Sequence, residues 1–359
     1  MSHSTPLILL SSGLRARYRE DVVRALALPT GRKLQFRYRK RHIESALVKN
    51  LKSLTGRTVF ICYLECSDPN RQIRLLPVRS AKIGAVEAAG EKFIFTLIVE
   101  KYFSSPNDAA KLIEADKKFK VPAWKTPADG GSTYASGLWA QGSELSLSDF
   151  ELVKHNRDGG HLLAFENTAV QLGATSDFSS VEERLFFNLV ALEEAGKRYE
   201  FGPSPTFKRN GVQSVLIHHL TPNMPTGPEA PTLFLKYAVF GHGLEPIHGN
   251  LLKIDSEYDL KRLRLDVKKG VRDTINSLSI GRTSASKPDE LQDSEVEVEI
   301  RVRSSQWKVL LNILFIMSGI AAAGIVAAGS SLTLNKALLI LFAAFIAAAS
   351  SVLGYKTRA

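Results

Sequence analysis

The sequence predicts an α+β protein that ends in a hairpin of two transmembrane helices. Three observations carry this: short strand-like runs fill the first hundred positions, helix-type signals alternate with strand-type runs between 149 and 280, and two long uncharged apolar segments close the chain. At 359 residues the chain exceeds the size at which a single hydrophobic core stops growing, so more than one folding unit is expected. The reading divides it into a small basic β-rich domain (1–120), a Pro, Gly and Ser-containing linker (121–148), an α+β domain (149–280), a linker with a juxtamembrane strand (281–308), and helices over 309–329 and 337–354.

In the first domain, strands are expected at Pro6–Leu10, Lys33–Tyr38, Thr58–Leu64, Gln72–Val78 and Phe93–Val99. Alternation is clearest in Lys33–Arg39, where Leu34, Phe36 and Tyr38 face one way and Lys33, Gln35, Arg37 and Arg39 the other. Asn107 caps a short helix reaching about Lys118. The two cysteines, Cys62 and Cys66, are too few for a disulfide framework and read as reduced core thiols.

In the second domain, His161–Phe165, Val212–His219 and Thr232–Phe240 read as strands. Ser180 and Glu183 form a capping-box pattern ahead of Leu185, Phe186, Leu189 and Leu192, which predicts a helix stopped by Gly196. A second helix is expected from Ser256 to Leu278, with Leu260, Leu263, Val267, Val271, Ile275 and Leu278 on one stripe. Val296, Val298, Ile300 and Val302 then alternate with charged residues in a strand leading to the membrane.

Val309–Gly329 holds only Asn312 and Ser318 as polar residues, and Ala337–Gly354 has no charge. At 1.5 Å per residue such runs approach the roughly 30 Å of a bilayer's hydrocarbon. Arg301, Arg303, Lys308, Lys356 and Arg358 flank the pair, which predicts a multi-pass inner-membrane protein with its soluble region and both termini in the cytoplasm. No signal peptide is read at the start. Gly319, Ala323, Gly324, Ala328, Ala344 and Ala348 permit close helix packing, within the hairpin or in a homo-oligomer at the lipid bilayer.

Charge is segregated. Residues 1–60 carry thirteen Lys and Arg against three acids and supply nearly all of the chain's net charge of +11. The cluster of Arg15, Arg17, Arg19, Arg24, Arg32, Lys33, Arg37, Arg39, Lys40 and Arg41 is mostly arginine, which suits phosphate geometry and marks a binding surface for a nucleic acid or nucleotide. No phosphate loop, dinucleotide fingerprint, nucleophile elbow or zinc-protease helix occurs, and no catalytic residue, cofactor or metal is assigned. His218, His219, His242, Glu245 and His248 are the best metal candidates, but adjacent histidines on a strand point to opposite faces.

The expected function is a membrane-anchored sensor or effector in which the basic domain binds a phosphate-bearing ligand and the hairpin acts on the membrane. In layout this resembles bacterial membrane-disrupting defence effectors, a resemblance that implies pore formation. The alternatives are a passive membrane scaffold that recruits a protein partner through 149–280, and a membrane-tethered enzyme acting on nucleotides or nucleic acid.

Overall fold

The computed structural model describes residues 5–12, 16–65, 74–104, 137–140, 151–153, 160–202, 204–225, 232–284, 295–305, 309–314 and 316–319. It is built mainly of sheet. The first sheet comprises β1 (Leu7–Ser12), β2 (Lys33–Arg39), β3 (Thr58–Glu65), β4 (Arg74–Ala89), β5 (Lys92–Ser104), β6 (Gly137–Ala140) and β7 (Glu151–Leu152). Its order is β2-β5-β4-β3-β1-β6, with β7 beside β5 and only β1 and β3 parallel.

This sheet curls almost into a barrel. Ile43, four residues beyond edge strand β2, bridges Leu138 on the opposite edge strand β6, and the Glu44 amide donates to the Leu138 carbonyl at 3.1 Å. Leu7, Leu9, Phe36, Tyr38, Ile61 and Phe95 are buried together on the inner side. Gly137 is required at the closure: a Cβ there would lie 2.1 Å from the His42 carbonyl oxygen.

Helix α1 (Ala16–Ala27) packs between this sheet and the second half of the chain. Its C-terminal carbonyls are satisfied by a fully buried guanidinium. Arg79 donates to Ala25 O at 3.2 Å, to Leu28 O, to Glu100 O and to Thr30 Oγ1 at 3.1 Å, and lies 4.1 Å from the Tyr102 ring centroid. A cation at a helix C-terminus is favourable because it meets the partial negative charge of the last carbonyls. The short helix α2 (Ser45–Val48) follows β2.

Helix α3 (Gly160–Gly173) lies against β4 and β5. Beyond it, β8 (Phe186–Glu194), β9 (Lys197–Glu200), β11 (Gly211–Leu220), β13 (Leu244–Pro246) and β15 (Tyr258–Val267) form a sheet ordered β13-β15-β11-β8-β9. A second sheet, β10-β17-β16-β12-β14, uses β10 (Thr206–Phe207), β12 (Leu233–Phe240), β14 (Leu251–Ile254), β16 (Thr274–Ser284) and β17 (Val296–Val302). Their apolar faces belong to one core, as in a β-sandwich.

The α+β expectation is corrected accordingly. Where the capping box predicts a helix, Glu183 N–H does bond Ser180 Oγ at 3.1 Å and Glu183 Oε2 accepts from Ser179 and Ser180, but only a turn forms before β8 begins. The run Phe186–Leu192 is β-prone and buried on both sides apart from Val190, so sheet packing overrides the local start signal. The expected helix over 256–278 is two strands, β15 and β16, in different sheets. Conversely, His161–Phe165 lies in helix α3.

The transmembrane hairpin is corrected as well. Among the described residues no helix is long and apolar enough to cross a membrane. Of the expected spans, positions 309–314 and 316–319 are described and helical, while the rest of 309–329 and all of 337–354 lie outside the described residues. Gly319 is among them; Ala323, Gly324, Ala328, Ala344 and Ala348 lie outside the described residues. The multi-pass inner-membrane assignment and the placement of both termini lose their basis with it. The expected helix after Asn107 and Cys66 also fall outside the described residues, whereas Cys62 is buried.

Candidate phosphate-binding face

The structure divides the basic cluster into cations that hold the fold together and cations that face outward. Arg19 pairs with Glu183 at 3.0 Å and donates to the Asp177 carbonyl; Arg24 pairs with Asp21. Arg32 donates to Glu299 O at 2.9 Å, and Arg57 to Thr5 O at 2.8 Å. Through Arg19 and Arg32, α1 and the barrel are joined to the rest of the chain. Glu20 does the same from the acidic side, both of its carboxylate oxygens accepting from Arg282 Nη2, at 2.6 and 2.7 Å, across a buried contact.

What remains is a line on β2. Its burial alternates without a break, with Leu34, Phe36 and Tyr38 buried and Lys33, Gln35, Arg37 and Arg39 exposed, as the period of two dictates. Lys40 follows, also exposed. Among the described residues Lys33, Arg37, Arg39 and Lys40 form no ion pair. The register sets Ile98, Thr96, Ile94 and Lys92 of β5 opposite Lys33, Gln35, Arg37 and Arg39. Lys92 therefore stands directly across from Arg39, and like charges so placed oppose sheet pairing. Glu87 is two strands away from Arg37, roughly 10 Å at the usual strand spacing, and Glu91 sits in the adjoining turn.

Helix α1 brings its first turn to the same region. Tyr18 stacks on Tyr38 with ring centroids 6.2 Å apart, and the charges of exposed Arg17 and of Arg37 both reach Asp21. Burial raises the Asp21 carboxyl to about 6, against the pull of Arg24, Arg17 and Arg37. The first turn of α1 has no acid, so the helix's positive end adds to this potential. Tyr38 points inward, its hydroxyl donating to Leu10 O at 3.3 Å, and burial holds its ionisation well above the ordinary range. Phe36 and Tyr38 thus serve the core and offer no surface to a base.

Of the predicted ligand-binding residues, Arg17, Lys33, Arg37, Arg39 and Lys40 are exposed, whereas Arg19, Arg24 and Arg32 are engaged internally. Arg15 and the side chain of Arg41 lie outside the described residues. The residue that sequence reasoning missed is Lys92; its place follows from the β2–β5 pairing, which spacing alone does not reveal.

The histidine group is not assembled. His218 and His219 are adjacent on β11 and both are buried, His218 packing edge-on against Phe165 and Tyr258. Burial lowers both to about 4. Among the described residues no group of three or more His, Cys, Asp or Glu is placed to hold a metal ion.

No protein-family model matches the chain, and no curated protein matches it. A solved structure described as the N-terminal domain of PorA aligns at 9% identity over 32% of this chain and 98% of its own, with a TM-score of 0.17. At that score the likeness carries no argument about fold or function.

Proposed function

We propose that the chain binds a phosphate-bearing ligand on the outward face of β2, through Lys33, Arg37, Arg39 and Lys40 together with Lys92. One observation carries this reading: these cations are exposed and form no ion pair among the described residues, while Arg19 and Arg24 of the same segment are paired with carboxylates. A fold does not need Arg39 facing Lys92, and an anion lying between them removes the repulsion.

The test is a titration with inorganic tripolyphosphate, followed by the melting temperature of the full chain. Binding stabilises the folded chain by RT ln(1 + [L]/Kd) and raises the midpoint accordingly. Charge reversal at Arg37→Glu and Arg39→Glu is expected to abolish the shift. A midpoint that never moves, or that moves equally in the variant, overturns the proposal.

A further inference from the structure

Resting on that reading, we infer that the ligand is the backbone of a double-stranded nucleic acid, held without base recognition. Four successive outward positions of β2, Lys33, Gln35, Arg37 and Arg39, are all hydrogen-bond donors, and Lys40 and Lys92 extend the line. Side chains on one face of a strand recur about every 6.6–6.8 Å, so Lys33 to Arg39 covers roughly 20 Å. A row of that length on the exterior of a sheet fits a linear polyanion. A mononucleotide is instead held in a concavity that buries most of its surface.

The aromatics point to which polyanion. Binding to a single strand draws on exposed rings that stack on splayed bases. Here Phe36 and Tyr38 alternate with the cations and point into the core, 0% and 1% exposed. The exposed aromatics among the described residues, Tyr199, Phe240 and Tyr258, belong to the sandwich. Arg, Lys and Gln donors without a stacking surface are equipped to contact phosphates, which fix position and carry no sequence information. A duplex offers such phosphates at a rise of about 3.4 Å per strand.

The experiment is fluorescence anisotropy of the full chain with a labelled duplex, with either of its single strands, and with a labelled ATP analogue, each at several salt concentrations. Five phosphate contacts, one for each of Lys33, Arg37, Arg39, Lys40 and Lys92, give a slope of log K against log salt of roughly −4.5 for a duplex. Arg37→Gln with Arg39→Gln removes two contacts and is expected to reduce that slope by about 1.8. Exposed Lys253, on β14 of the sandwich, serves as the control: Lys253→Gln is expected to leave the slope unchanged.

Duplexes of different sequence binding alike, more tightly than single strands, support the inference. Tighter binding of single strands, or binding of the ATP analogue without the duplex, overturns the ligand class while leaving phosphate binding intact. Failure of all three, together with no tripolyphosphate shift, overturns both.

Discussion

Acidification from pH 7 to pH 5 is expected to destabilise the fold through His218 and His219. Both are essentially fully buried, and none of their ring nitrogens has a hydrogen-bond partner among the described residues. Burial lowers each to about 4, against 6.5 for the free side chain. The unfolded chain therefore binds more protons between these values. Stability is fully present above about 6.5 and is lost as the pH falls toward 4. Linkage gives a loss of about 2 kcal/mol per histidine over this interval. Asp21, raised to about 6, acts in the opposite sense, because its folded form takes up a proton first. It returns about 1 kcal/mol, while His161, which burial also lowers to about 4, adds a further loss of about 2 kcal/mol, so the net loss is on the order of 4 kcal/mol.

The assay is urea unfolding at each pH, comparing the full chain with His218→Phe. Phenylalanine suits a site bordered by Phe165 and Tyr258 and carries no proton. The variant should lose about 2 kcal/mol less than the parent between pH 7 and pH 5. His218 Nε2 also lies 3.7 Å from a carboxylate oxygen of Glu166. If that contact becomes a strong ion pair on protonation, the folded state gains the proton easily and the two pH profiles coincide. Coincident profiles refute the reasoning.

Arg282→Met leaves Glu20 charged in a buried contact and is expected to destabilise by about 3–5 kcal/mol, whereas pairing it with Glu20→Leu recovers most of that loss in a double-mutant cycle by urea unfolding. Arg79→Met strips the donors from the Ala25, Leu28 and Glu100 carbonyls and should lower stability by about 3 kcal/mol or more in thermal melts, as several buried acceptors are orphaned at once. Gly137→Ala drives a Cβ into the His42 carbonyl, so hydrogen exchange at the Glu44 amide should accelerate before exchange in β11 does; equal protection in parent and variant counts against the closed barrel.

What can be read from the sequence depends on how far each segment's pattern is local. In β2 the alternation alone assigns every residue to its face, and the basic line is visible from it. The same rule is available in β15, where Leu263, Leu265 and Val267 are buried and Arg262 and Arg264 exposed, yet a stripe at spacing of three and four favours a helix. That stripe runs across Gly270, where the chain leaves one sheet for the other. The capping box at Ser180 is a true local signal without the helix it usually announces. Arg19 and Arg32 are illegible for a different reason: their partners, Glu183, Asp177 and Glu299, lie more than 150 residues away in the chain. Composition counts such cations as surface charge, and only tertiary structure reveals which are spent.

The closure of the barrel also sets an order of events during synthesis. Strand β1 is flanked by β3 on one side and by β6 on the other, and β6 enters the chain 33 positions after β5 ends. At about 5–20 residues per second, an emerging chain spends roughly 2–7 seconds with the first five strands available and the apolar edge of Leu7–Leu10 unpaired. An exposed edge of this composition is a template for pairing with another nascent chain. The hazard window is thus written into the distance between residues 104 and 137, and a ribosome that pauses there holds it open.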